Sequence, residues 1–177
     1  MLQYITSRYP KETMKKERIK SGEGIFIGNA GEHYVMGELL KRGIIAALAP
    51  RNTPSFDILA TNKENHAINI RVKTKSGELP IWQYSIKKNG EIFRNLSKKN
   101  DFTVLVDLGK NINEMRFYVV PTHVIDTWLR SDFKIWCDTS GKNGHSHSPT
   151  MIKRILSEKI HTEELRKYLN SWDDLWR

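Results

Sequence analysis

The chain is short of cysteine, of long apolar runs and of acidic residues. Cys137 is the only cysteine among 177 residues, which excludes a disulfide framework and a multi-cysteine zinc site. No apolar run approaches the ~20 residues that a membrane-spanning helix needs. Residues 1–20 are mixed and basic, without the apolar core of a secretory signal. A reducing cytoplasm is therefore the expected compartment, with no membrane partner. Gly22-Glu23-Gly24 lacks the lysine and the length of a phosphate-binding loop, and no serine sits in a nucleophile elbow. Asp and Glu number 20 against 29 Lys and Arg, a net charge of +9. A surface with that balance draws polyanions, of which nucleic acid is the commonest in a cell.

What is present suits one soluble domain. Hydrophobic residues make up 38% of the chain and charged residues 28%, enough for a real core at this length. No internal repeat and no long linker divides it. The expected organisation is a basic extension over 1–27, a core over 28–130, and a loop with a C-terminal helix over 131–177.

The first helix is expected over Asn29 to Arg42. Asn29 can cap it and Glu32 follows three residues later, as in a capping box. Gly43 can end it. Glu32 leads the stripe of Val35, Met36 and Leu39, so it can serve as a cap or as a carboxylate aimed into a site. Strands are expected over Ile44 to Leu48, Phe56 to Thr61 and His66 to Thr74, with a Pro-marked loop over 49–55. In the third strand Ile68, Ile70 and Val72 face one way, and Asn69, Arg71 and Lys73 face the other. Residues 75–100 are irregular and basic, although Trp82, Tyr84 and Ile86 alternate. Lys75, Lys87, Lys88, Arg94, Lys98 and Lys99, mixed with aromatics, suit contacts to a nucleic-acid backbone. Asp101 to Leu108 reads as a central strand and Met115 to Val120 as its neighbour. A short helix is expected over Thr122 to Leu129 and a loop over 140–149. A final helix capped by Thr162 would carry Leu165, Tyr168, Leu169 and Trp172. The order αβββ…ββα, plus that last helix, is α/β with a mixed central sheet flanked by helices.

The chemistry concentrates in Phe56-Asp57-Ile58-Leu59-Ala60 and Ile68-Asn69-Ile70-Arg71-Val72-Lys73-Thr74. Asp57 stands among apolar residues, so its carboxylate needs a cation or a metal. Lys73 can come alongside it across a hairpin. By residue type alone, an ion pair of Asp57 with Lys73 or Arg71 accounts for the pattern as well as a metal site does. His145-Ser146-His147 reads as a solvated loop rather than half a metal site, His33 as an outward-facing helix residue and Cys137 as inert.

In order and placement, Gly28-Asn29-Ala30-Gly31-Glu32-His33-Tyr34-Val35, Phe56-Asp57-Ile58-Leu59-Ala60 and Ile70-Arg71-Val72-Lys73-Thr74 resemble the PD-(D/E)xK phosphodiesterase superfamily, with its restriction-endonuclease-like core. Val104 to Leu108 and Tyr118-Val119-Val120-Pro121 extend the likeness to small bacterial members of unassigned function. The resemblance implies an endonuclease that hydrolyses DNA phosphodiester bonds with Mg²⁺ or Mn²⁺. It implies Asp57, Glu32 and the Val72 carbonyl as metal ligands, with Asp57, Glu32, Lys73 and Arg71 as the catalytic set. Cutting both strands would favour a homodimer. The family's second acidic or glutamine ligand falls where this chain has Arg71, and a guanidinium cannot ligate a metal. Three readings follow. Arg71 serves the scissile phosphate; a carboxylate such as Glu64 or Glu78 takes over; or Arg71 pairs with Asp57 or Glu32 in a catalytically silent DNA-binding protein. A protein-interaction module with a vestigial site is a further alternative.

Overall fold

The structure is a computed structural model. It describes residues 24–51, 53, 55–61, 66–76, 81–85, 101–140, 144, 145, 147, 153–158 and 161–176. Helix α1 (Gly24–Lys41) precedes strands β1 (Ile45–Leu48), β2 (Ile58–Thr61), β3 (Ala67–Lys75), β4 (Ile81–Ser85), β5 (Asp101–Asp107) and β6 (Arg116–Pro121). Helix α2 (Thr122–Asp138), strand β7 (Lys153–Ser157) and the short helix α3 (Thr162–Arg166) follow, then a 3-10 helix at Trp172–Trp176. Five strands form one mixed sheet in the order β1-β2-β3-β5-β6, and β4 pairs with β7 in a second sheet. Among the described strands only β3 and β5 run parallel; the other pairs are antiparallel. Among the described residues no helix is long and apolar enough to cross a membrane.

The expected α/β architecture is present, with corrections at several ends. Helix α1 already runs at Gly24, so Asn29 and Glu32 lie in its body and form no capping box there. Its end is as expected. Gly43 has φ +74°, its N–H donates to the Leu40 carbonyl, and Ile44 N–H donates to Leu39. That pair of bonds is the Schellman arrangement. Helix α2 extends well past Leu129 because Phe133 continues the buried series Ile125, Leu129. Strand β7 was not expected; its partner is remote in sequence and its run Lys153-Arg154-Ile155-Leu156-Ser157 is largely polar. The C-terminal helix stops at Arg166. Beyond it the backbone turns to satisfy the exposed edge of β6: Val119 N–H donates to Tyr168 and Asn170 N–H to Phe117. Thr162 makes no side-chain cap; its hydroxyl donates to the Glu158 carbonyl.

The large sheet is buried on both faces at its centre. Even-numbered residues of β3 and β5 (Ile70, Val72, Val104, Val106) pack under α1 with Phe117, Val119 and Trp172. Leu105, Tyr118 and Val120 face the other way, into a second cluster with α2, Trp82, Tyr84 and Leu156. The contact between α1 and β3 is set by Gly31. A Cβ there would lie 1.9 Å from Thr74 Oγ1 and 2.9 Å from Thr74 Cγ2. Only glycine lets the helix backbone come this close.

The two sheets are tied together by charge. Lys75 is 4% exposed; its Nζ lies 2.7 Å from Asp107 Oδ2 and 3.2 Å from Glu158 Oε2. Arg116 joins the same two carboxylates. Burial pushes the Asp107 carboxyl up, but hydrogen bonds from Lys75, the Gly109 N–H and Arg116 outweigh it and hold the group below the usual carboxylate range.

Two outcomes follow. Gly31→Ala is expected to destabilise by about 1–3 kcal/mol through overpacking, despite alanine's better helix propensity. Adding Thr74→Ala recovers part of that loss, because the Thr74 hydroxyl has no hydrogen-bond partner to forfeit; denaturant melts of the two single variants and the double variant check it. Asp107 is more acidic folded than unfolded. Its contribution is complete above the unfolded value of ~3.9 and is lost as pH falls through the lower folded value. Asp107→Asn therefore flattens the acid limb of stability against pH and costs about 3 kcal/mol at neutrality, since Lys75 loses its nearest partner.

Candidate functional site

The site forms where β2 stops covering β3. The antiparallel ladder ends at the Ile58–Ile70 pair. Asp57 was expected inside the strand but lies one residue before β2, yet its backbone is fixed on both sides. Its N–H donates to the Ile70 carbonyl at 2.9 Å, and its own carbonyl accepts from Ala49 N–H at 2.8 Å. Its side chain then takes the next free group of β3: Val72 N–H donates to Asp57 Oδ2 at 2.7 Å. In an extended strand the N–H and C=O of one residue point the same way. The Val72 carbonyl therefore opens onto the same edge as the Asp57 carboxylate.

Glu32 reaches this edge from α1. It follows Gly31 directly, so the close contact with Thr74 sets where its side chain starts. Its carboxyl is raised above the usual range, by partial burial first and the Asp57 carboxylate second, against the opposing charges of His33 and Arg51. The two carboxylates thus act on one another.

Arg71 and Lys73 project from the other face of β3, toward β4. Lys73 Nζ lies 5.4 Å from the centre of the Tyr84 ring, within cation–π range. Burial lowers the Lys73 ammonium, and the Arg71 charge lowers it further, while Asp57 opposes both. Burial also lowers Arg71, opposed by Asp57 and then by Tyr84. The register places Asp57 opposite Arg71 more nearly than opposite Lys73, but its field reaches both. Glu32, Asp57, Arg71 and Lys73 therefore form one electrostatic cluster at the sheet edge.

The donor set suits a hard divalent cation. Magnesium takes one or two carboxylates and keeps oxygen ligands and waters for the rest. Burial first and the Asp57 charge second raise Glu32, and such an ion would oppose both. Among the described residues, no group of three or more His, Cys, Asp or Glu forms a metal cluster.

Other expectations are placed differently. Lys75 is not part of an exposed basic surface: it is buried in the Asp107–Glu158 cluster, over the Trp82 ring. Lys87, Lys88, Arg94, Lys98, Lys99, Glu64 and Glu78 lie outside the described residues. His33 is exposed, and its Nδ1 donates to the Asn29 carbonyl. His147 stacks on Trp136 with ring centres 4.2 Å apart. Cys137 is a half-buried free thiol. Sequence reasoning missed Arg51 and Tyr84. The Trp82–Tyr84 alternation was a signal for Tyr84; nothing local marked Arg51.

No protein-family model matches the chain, and no curated protein matches it. Among solved structures it is similar to a bacterial homing endonuclease, I-Ssp6803I, at 16% identity with a TM-score of 0.47. The match covers 84% of this chain and 88% of that one.

The mutual effect of the carboxylates is directly measurable. Asp57→Asn removes the like charge and is expected to lower the Glu32 pKa toward its ordinary value, leaving the part due to burial. A carboxyl-carbon NMR titration of Glu32 in both proteins checks this; an unchanged midpoint would mean that the two groups do not share a site.

Proposed function

We propose that this chain is a metal-dependent endonuclease of the PD-(D/E)xK type, acting on DNA. The observation that supports the reading is Asp57, held at an open edge of β3 by the Val72 N–H, within the fields of Glu32, Lys73 and Arg71. Glu32, Asp57 and the Val72 carbonyl would hold Mg²⁺ or Mn²⁺. When bound, such an ion polarises a phosphate oxygen and lowers the pKa of a bound water.

The protein's own residues supply the rest. Lys73, held over the Tyr84 ring with a lowered ammonium pKa, can orient the attacking water and steady charge as it develops. Arg71 stands on the same face with a fixed positive charge, which suits a non-bridging oxygen of the scissile phosphate. The Val72 N–H holds Asp57 in one orientation. Two such sites, one per strand, would be met in a twofold dimer. The net charge of +9 favours the approach of DNA as a polyanion.

Arg71 also motivates a second reading, a catalytically silent DNA-binding protein. Its guanidinium lies in the field of Asp57, where the resemblance places a metal ligand.

The test uses purified protein with supercoiled and linear DNA, in Mg²⁺, in Mn²⁺ and in EDTA. Cleavage is expected with either metal and not in EDTA. Asp57→Ala and Lys73→Ala are expected to abolish it, and cleavage that survives both changes sinks the assignment. Arg71→Gln is expected to slow cleavage about 10²–10³-fold, the range for losing one positioned charge-stabilising group. If Arg71→Gln instead switches cleavage on, the silent reading stands.

A further inference from the structure

Helix α1 carries glycines that its packing does not explain. Gly31 is required by Thr74. Gly24 and Gly28 are not: a Cβ at either would meet nothing within 4 Å. Gly28, in the helix body, nonetheless weakens it by about 1 kcal/mol relative to alanine, whereas Gly24 is its first residue. They lie four residues apart, on one face of the helix, and both line a groove of about 380 Å³.

The groove continues from the site. One wall is α1, with Ile27 between the two glycines. The other is the start of β4, where Trp82 is buried in the wall. The floor is β3 from Val72 to Ser76, the stretch that β2 leaves uncovered. The alternation that turns the Val72 carbonyl to this edge turns the N–H and carbonyl of Thr74 the same way. Lys73 stands at the end nearest Asp57. Among the described residues no carboxylate lines the groove. By contrast, the pocket beside Arg116 is lined by Asp107 and Glu114 together with cations, and so has no preference for an anion.

We propose that this groove seats the sugar–phosphate backbone of the DNA strand on one side of the bond to be cut. The nucleotide next to the scissile phosphate passes across the bare glycine face of α1. This rests on the endonuclease reading above and adds a path for the strand. The groove has the size of a small-ligand pocket rather than of a duplex. Its floor offers backbone N–H groups, common donors to phosphate oxygens. Trp82, 1% exposed, is a wall and not a platform for a stacked base. The occupant is therefore backbone, read without regard to base.

The experiment measures binding of a fluorescein-labelled duplex to the full chain, with Ca²⁺ replacing Mg²⁺. Gly28→Ala, Gly28→Leu and Gly37→Leu are compared with the unaltered protein. Gly37 is an exposed glycine of α1 outside the groove, also with nothing within 4 Å of its Cβ. Gly28→Ala is expected to melt at or above the unaltered protein's temperature. Gly28→Leu fills the groove and is expected to weaken binding about tenfold or more, while Gly37→Leu leaves binding unchanged. Ethylation of the phosphate next to the scissile one should block binding by the unaltered protein, a readout independent of any variant's folding. Unweakened binding by Gly28→Leu, or no interference from that ethyl group, overturns the proposal and leaves the β3 edge to an added peptide strand. If the unaltered protein binds and cuts DNA, only the groove falls with that result. If it binds no DNA, the endonuclease reading falls with it.

Discussion

The close approach of α1 to β3 at Gly31 and Thr74 is the contact on which the rest depends. A methyl group at position 31 would occupy the space of the threonine hydroxyl, so helix and strand meet almost backbone to backbone. That contact seats Val35 and Leu39, one and two turns on, over Ile70 and Val72. It also delivers Glu32 to the strand edge without help from a flexible loop. A carboxylate on a packed helix and another locked by three hydrogen bonds leave little freedom to avoid each other. Their mutual repulsion is a consequence of packing, accepted by the fold rather than relieved by it.

Strand β3 presents two lysines on one face, and the contrast between them separates structure from function. Each ammonium lies over an aromatic ring of β4, Lys73 over Tyr84 and Lys75 over Trp82. Lys75 also has Asp107 and Glu158 within ion-pair distance and is almost fully buried. Its desolvation is offset by two carboxylates, and with Arg116 the cluster carries two charges of each sign. Such a group pins β3, β5 and β6 to the strand and turn at Ser157 and Glu158. Lys73 is less buried and has the Arg71 charge acting against it. An ammonium two residues from a guanidinium on one face of a strand is a poor way to build stability, since the two charges oppose one another. It is a good way to hold positive charge ready for an anion. The sequence put Lys73 in a catalytic set and Lys75 on a basic surface; burial takes Lys75 off that surface.

Much of the large sheet was legible because its signals are local. The alternation of Ile68, Ile70 and Val72, the nearly continuous apolar run from Phe102 to Val106 and the Gly43 stop each depend on a few neighbours. Asp57 was legible as an isolated carboxylate among apolar residues. What was not legible came from contacts remote in sequence. The β4–β7 pair joins segments with no common pattern. Lys75 looked like part of a basic surface because Asp107 and Glu158 come from elsewhere in the chain. The last helix followed its apolar spacing on paper, but the unpaired edge of β6 claimed the backbone at Tyr168 and Asn170. Glu32 was assigned to the head of a helix because Asn29 and Glu32 match a cap, and that spacing cannot reveal a helix already running at Gly24.

Arg71 then has a physical place. Glu32 and Asp57 bring two negative charges to the cluster, and Arg71 and Lys73 two positive ones. Those four charges sum to about zero, before the Arg51 charge that also acts on Glu32. A divalent ion entering alone would leave an excess of about two positive charges at half-buried positions. A phosphodiester entering with it brings a negative charge to the face where Arg71 and Lys73 stand. On the proposed reading the ion and the DNA strand therefore favour one another's binding, and the guanidinium couples them. A guanidinium beside Asp57 disfavours a metal ion alone and, on the proposed reading, favours metal and substrate together.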